Sequence, residues 1–194
     1  MVDGGVAGLV LAAGAGRRMG GPKALLRLSP SGPSLVESTV SRLLDAGVSK
    51  VHVVVGHSAD SVRLRAERVG GVVAEAEDWA EGMGASLRCG IEALEVTDAE
   101  AMILMLVDLP DVGAAVHTRL LDSVDGDLDG VLLRAAYDGR AGHPVLIGRD
   151  HWRLIRRHAV GDHGARTYFD SHRPRLVECG DLATGRDIDR PGDV

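Results

Sequence analysis

Between Leu11 and Lys23 the chain reads LAAGAGRRMGGPK, which sets Gly14, Gly16, Gly20 and Gly21 around the cations Arg17, Arg18 and Lys23. Glycines let backbone N–H groups approach a ligand closely, and clustered cations neutralise its charge, so this stretch suits the cradling of a polyphosphate. Two familiar phosphate fingerprints fail on spacing. A dinucleotide-binding GxGxxG needs a glycine where Met19 stands, and a P-loop needs Gly-Lys followed by Ser or Thr, whereas Pro22 precedes Lys23 and Ala24 follows it. A bare GxG reads equally well as a turn carrying solvated arginines. Three cations in one glycine-rich loop at a strand's carboxyl end favour phosphate.

A second chemical group is Asp108, which follows AMILMLV. That run is apolar on both faces, as a central strand is, and it delivers the carboxylate to the carboxyl edge where α/β proteins bind ligands. Magnesium with its waters, held by one or two carboxylates and substrate phosphates, suits such a place. Asp111, just ahead of the next helix, reads as a helix cap. Further on, Pro144 restricts the backbone beside His143 in GHP, and GDHGAR carries Arg166. His151 and His158 have no acidic or thiol ligands grouped with them, so a zinc site is not expected, and no Ser-His-Asp or Cys-His arrangement is evident.

Short apolar runs alternate with longer amphipathic stretches, the pattern of βαβ units and a mainly parallel sheet with helices on both faces. Strands are expected at 8–12, 51–55, 72–74, 101–107, 131–136 and 145–147, and helices at 35–46, 58–69, 84–95, 114–123 and 149–158. In SADSVRLRAERV, residues Val62, Ala66 and Val69 form one apolar stripe, with Ser58 and Asp60 as start signals and Gly70 and Gly71 as the stop. The acidic stretch DSVDGDLDG reads as a surface connection, and with no repeat or linker visible, residues 1–194 are expected to form a single domain.

The chain has 194 residues, and 22 Lys and Arg against 28 Asp and Glu leave a net charge of −6. That balance argues against a nucleic-acid coat, and aromatics at 3% are too few for a single-strand stacking platform. Two cysteines make no disulfide framework, no apolar run approaches the roughly 20 residues of a bilayer span, and the start lacks a secretory signal. A cytoplasmic protein with neither a nucleic-acid nor a membrane partner is therefore expected.

The loop resembles LAAGxGxRMGxxK, the signature of the MobA-like nucleotidyltransferases, and most closely that of the molybdenum cofactor cytidylyltransferases. Later blocks of that family recur in order: DWAEGMGASLRCG, VDLPDV, GHPVLI, GDHGAR and TGRDIDRPGDV. The pattern's usual Asn ahead of DW is replaced by Ala76 and Glu77. The resemblance implies a three-layer α/β sandwich with a mostly parallel, Rossmann-like sheet of the nucleotide-diphospho-sugar transferase type. It also implies a nucleotide site built from Leu11, Ala12, Ala13, Gly14, Gly16, Arg17, Arg18, Gly20 and Lys23, with Gly82 and Ser86 admitting the base. Arg18 and Lys23 would bind phosphates, and Asp108 would hold Mg2+. Among Asp187, Asp189 and Asp193, the resemblance favours Asp189 as a second metal ligand. His143 and Arg166 would contact the acceptor.

The implied reaction moves a nucleoside monophosphate from an NTP to a phosphorylated acceptor, releasing pyrophosphate. The LAAG form resembles the cytidylyl branch, so CTP and molybdenum cofactor are the expected substrates, with a molybdoenzyme or its chaperone as a further partner. A guanylyltransferase, a sugar-phosphate nucleotidyltransferase and a non-catalytic nucleotide-binding delivery module are the alternatives. Joint retention of Arg18, Lys23 and Asp108 weighs against the last.

Overall fold

The structure, a computed structural model, describes residues 5–193. Seven strands form one sheet in the order β3-β2-β1-β4-β6-β5-β7. They are β1 (Val6–Leu11), β2 (Lys50–Val55), β3 (Val72–Glu75), β4 (Ala101–Leu106), β5 (Leu132–Tyr137), β6 (Arg140–Gly148) and β7 (Arg175–Glu178). The helices are α1 (Leu35–Asp45), α2 (Ala59–Arg68), α3 (Met83–Glu95), α4 (Ala114–Asp122), α5 (Arg149–His158) and α6 (Arg166–His172). β1 pairs in parallel with β2 and β4, β2 with β3, and β5 with β7, while β6 runs antiparallel to both β4 and β5.

Strand alternation sorts the core into two layers, because successive side chains point to opposite faces of a pleated strand. Val10, Val53, Ile103 and Met105 pack with Val36, Val40 and Leu43 of α1, Val62 of α2 and Leu120 of α4. Leu9, Leu11, Met102, Leu104 and Ile147 pack with Leu87 and Ile91 of α3, Trp152 of α5 and Phe169 of α6. The central pair β1 and β4 is covered on both sides, which explains why AMILMLV shows no polar alternation. This is the three-layer, mostly parallel architecture the sequence implied.

Three local features depart from expectation. β6 begins five residues ahead of the expected run at 145–147, since its first half, Arg140–His143, is polar and at least partly exposed, leaving no apolar run to read. β7 and α6 were not expected: β7 buries only Val177, and α6 buries little beyond Tyr168 and Phe169. Asp111 is not the cap of α4, whose N-cap is Gly113. Its Oδ2 instead accepts hydrogen bonds from the Thr184 amide (2.6 Å) and hydroxyl (2.5 Å), tying the chain beyond β7 to the end of β4.

Candidate active site

The parallel strands β1 and β4 end side by side, and the chain leaving them forms a cavity of about 420 Å³. One wall is the loop 11–17, and the opposite wall is Trp79, Gly82, Met83 and Ser86 at the head of α3, with Asp108 at the base. Single 3₁₀ turns at Arg17–Met19 and Lys23–Leu25 fold the loop back on itself. The fold-back depends on Gly16, which has φ of +59° and accepts the Met19 and Gly21 amides through its carbonyl at 2.8 and 3.3 Å. A Cβ there would lie 1.8 Å from the Gly21 carbonyl oxygen, so only glycine fits. Gly14 faces open space, which leaves its backbone accessible from the cavity.

The loop places Lys23 Nζ 2.8 Å from Asp108 Oδ2 and also in contact with Asp189 Oδ1, and Arg18 reaches Asp189 at 3.5 Å. Burial alone lowers the Lys23 pKa, but its hydrogen bonds to Asp108 and Asp189 prevail and raise it above the usual lysine value. Asp189 is held below the usual carboxylate range, chiefly by its hydrogen bond from Lys23. Asp189 arrives because the Ile188 amide donates to the Asp108 carbonyl at 2.9 Å, laying the late segment across the end of β4.

Oxygens of Asp108, Asp187 and Asp189 lie within 4.8 Å of one another, and Asp108 Oδ1 is buried with no hydrogen-bond partner among the described residues. An orphaned buried carboxylate oxygen beside two further carboxylates is the hard-oxygen donor set that a small divalent cation requires. The residues therefore fit a metal. Asp187 joins the group alongside the expected Asp189, whereas Asp193 turns away and accepts the amides of Asp189 and Arg190 at 2.9 and 2.7 Å.

The structure thus brings together Leu11, Ala12, Ala13, Gly14, Gly16, Arg17, Lys23, Gly82, Ser86 and Asp108 on one cavity, with Asp189 and Arg18 at its edge. Gly20 lies off the wall and serves the turn, with φ of +78°. Gly82 has a further job: a Cβ on it would lie 2.5 Å from Asp162 Oδ1, so its bareness lets the 161–163 turn close against α3 and bring Asp162 to the cavity.

Sequence reasoning missed Trp79 and Asp162. Trp79 packs edge-on against His57 with centroids 5.3 Å apart, and Gly56 leaves the room it needs. Neither residue carried a spacing signal beyond its place in a recurring block.

His143 and Arg166, expected to contact the acceptor, are not among the residues that line this cavity, and both lie near Arg134. The His143 imidazole lies near Arg134, whose guanidinium sits 5.5 Å over the Phe169 ring of α6, on the α3/α5/α6 side of the sheet. Burial, with Arg134 nearby, pushes the His143 pKa down to about 4, so the ring is neutral near pH 7. Its carbonyl accepts the Tyr137 hydroxyl at 2.6 Å, and Arg166 stands exposed at the head of α6.

A glycine-rich cradle, two cations and a carboxylate trio at the carboxyl ends of parallel strands define the class of nucleotidyltransferase-type NTP-binding folds. Residues 8–176 match the MobA-like NTP transferase domain, and the chain belongs to that family. It is 35% identical over 195 residues to the nicotine blue oxidoreductase of Paenarthrobacter nicotinovorans, an alignment covering 95% of this chain and 92% of that protein. Among solved structures, it resembles a nucleotidyl transferase from Methanothermobacter thermautotroptrophicus (TM-score 0.80, 25% identity, 98% of this chain and 94% of the other). It also resembles a Mycobacterium tuberculosis protein crystallised with manganese (TM-score 0.72, 26% identity, 94% and 93% covered).

Proposed function

We propose that this protein is a divalent-metal-dependent nucleotidyltransferase that transfers a nucleoside monophosphate, from CTP by preference, to a phosphorylated acceptor such as molybdenum cofactor. The observation that carries the reading is the meeting of Lys23, Asp108 and Asp189 beside the Gly16 turn. Backbone amides of the turn, with Arg17, Arg18 and Lys23, would hold the triphosphate. Trp79, Met83 and Ser86 would flank the base. Asp108, Asp187 and Asp189 would hold Mg2+, which when bound screens charge at the α-phosphate. A phosphomonoester acceptor is largely ionised near neutral pH and needs no general base. Its oxygen bonds to the α-phosphorus as the bond to the bridging oxygen breaks, and pyrophosphate leaves with that electron pair.

The 35% identity to a protein named as an oxidoreductase supports a second reading, in which the same cradle holds the pyrophosphate of a nicotinamide dinucleotide. Hydride transfer has no use for three converging carboxylates, and this favours the first reading. The chain's setting is proposed to be the cytoplasm, with delivery of product to a molybdoenzyme or its chaperone. The deciding experiment incubates each NTP with Mg2+ and a panel of phosphomonoesters including molybdenum cofactor, following pyrophosphate release, with NADH oxidation by an electron-accepting dye in parallel. Acceptor-dependent release, fastest with CTP, is expected. Silence with every NTP, or dye reduction alone, overturns the proposal.

A further inference from the structure

A single 3₁₀ turn, Gly161–His163, closes against the head of α3 and carries Asp162 into the wall of the active-site cavity. The seat of that carboxylate is built by residues that leave room or hold on. Cβ atoms at Gly82 and Gly84 would lie 2.5 Å from Asp162 Oδ1 and 2.7 Å from the Ala159 carbonyl oxygen, so neither position has room for a side chain. The Arg88 guanidinium of α3 donates to the Ala159 carbonyl and to Glu81 Oε2, each at 2.7 Å, and so ties the approach to the turn onto the helix.

This seat brings a charge to a wall that is otherwise uncharged, made of Trp79, Ala80, Gly82, Met83 and Ser86. Asp162 is exposed and is not one of the three grouped carboxylates. Neither its carboxylate nor the Ser86 hydroxyl has a hydrogen-bond partner among the described residues, and Asp162 forms no ion pair there. Gly82, beside the carboxylate, and Ser86 are four positions apart, which sets them on one face about one helical turn, roughly 5.4 Å, from each other. The wall therefore offers a hydrogen-bond acceptor and, a turn further on, a hydroxyl able to donate.

We infer that Asp162 selects the nucleobase, accepting a hydrogen bond from an exocyclic amine while Ser86 donates to the carbonyl at the other end of the same base edge, so that cytosine is taken and uracil refused. The inference rests on the nucleotidyl-transfer reading. Cytosine carries the N4 amine and the O2 carbonyl, and a carboxylate is the natural complement of that amine. Uracil sets a carbonyl, O4, where cytosine has the amine, so two acceptors would face each other with no hydrogen between them. Guanine shares the pairing of amine and carbonyl, and adenine lacks the carbonyl. A site built to hydrogen-bond one group rejects the analogue without it far more strongly than an apolar pocket sorts by size.

The test titrates the full chain, with Mg2+ and no acceptor, with CTP, UTP and GTP. Binding is read from the fluorescence of Trp79, since Trp152, the other tryptophan, is buried in the core. Wild type is expected to bind CTP at least tenfold tighter than UTP. Asp162→Asn should narrow that ratio to threefold or less, with UTP binding tighter than in wild type, because the carboxamide can turn its NH2 to uracil O4. A gain for UTP cannot come from structural damage. Ser86→Ala should weaken CTP and UTP by the same factor, since both carry O2. Equal binding of CTP and UTP by wild type, or an unchanged ratio in Asp162→Asn, overturns the inference alone. A wild type that binds none of the three nucleotides strikes the transfer reading and takes the inference with it.

Discussion

Lys23 contacts the same carboxylates that are fitted to hold a divalent cation, so ammonium and metal compete for Asp108 and Asp189. A metal entering without nucleotide must break two charge-assisted hydrogen bonds, each worth roughly 1.5–3 kcal/mol in comparable settings. A metal arriving with nucleotide meets a different situation, because Lys23 can exchange the carboxylates for phosphate oxygens. Lys23→Met keeps an unbranched side chain only one atom shorter and removes the charge. The cost of breaking even one such bond corresponds to about ten- to a hundredfold in affinity, so the variant should bind Mn2+ alone tighter by that factor, measured by electron paramagnetic resonance.

The same variant should bind nucleotide at least tenfold more weakly, read from Trp79 fluorescence. Opposite signs in one variant cannot come from general destabilisation. Asp108→Asn should weaken Mn2+ in both backgrounds. The Lys23 pKa is raised, so the ammonium stays bound until pH climbs past the ordinary lysine value, and Asp189, being lowered, stays charged until pH falls below the ordinary aspartate value. The gain from Lys23→Met should accordingly be flat between about pH 6 and 8. Mn2+ binding no tighter than wild type would refute the competition.

Gly16→Ala forces a Cβ onto the Gly21 carbonyl in a left-handed backbone, and should cost at least tenfold in nucleotide affinity with little change in the melting temperature of the sheet; Gly14→Ala, with open space around it, should leave stability unchanged, and equal nucleotide binding in both variants would contradict the loop geometry. His117 is buried with both ring nitrogens unpartnered among the described residues, and burial, with Arg42 nearby, lowers its pKa to about 4. Between the unfolded histidine value near 6.5 and about 4 the unfolded chain holds a proton that the folded one lacks, so stability falls with acid, by roughly 3 kcal/mol at the lower end. His117→Leu should remove that share of the acid loss in urea titrations at pH 7 and 4.5, and an identical acid slope would refute it. Asp111→Ala should free Thr184, speed amide exchange over 184–188 and weaken Mn2+ several-fold, and unaltered exchange would show that other contacts hold the segment.

The legible parts of the molecule were those whose signal is local. β1, β2 and β4 are apolar runs bounded by loop residues, and α5 runs from Arg149 to His158 as its pattern predicts. The Gly16 loop and Asp108 were legible because the glycine, cation and strand-end signals lie within a few residues of each other. β7 was not, since an edge strand with one buried residue has no alternation to read. Asp187 was one of three candidates in an acidic run that looks like a solvated surface, and its place beside Asp108 and Asp189 appears only when Ile188 docks on β4. Asp162 reaches the cavity through packing between distant segments, and the neighbourhood of His143 and Arg134 arises in the same way. None of these leaves a mark in spacing.

The contact between Lys23 and Asp189 joins residues 166 positions apart. During synthesis the phosphate cradle and its lysine leave the ribosome long before the carboxylate that meets them. On the proposed function, a nascent or truncated chain ending ahead of Thr184 would present the glycine loop without two of the three acids proposed to hold the metal. If the proposal holds, such a chain binds nucleotide without consuming it, and the late arrival of Asp187 and Asp189 makes chemical competence a report on completion of the whole fold.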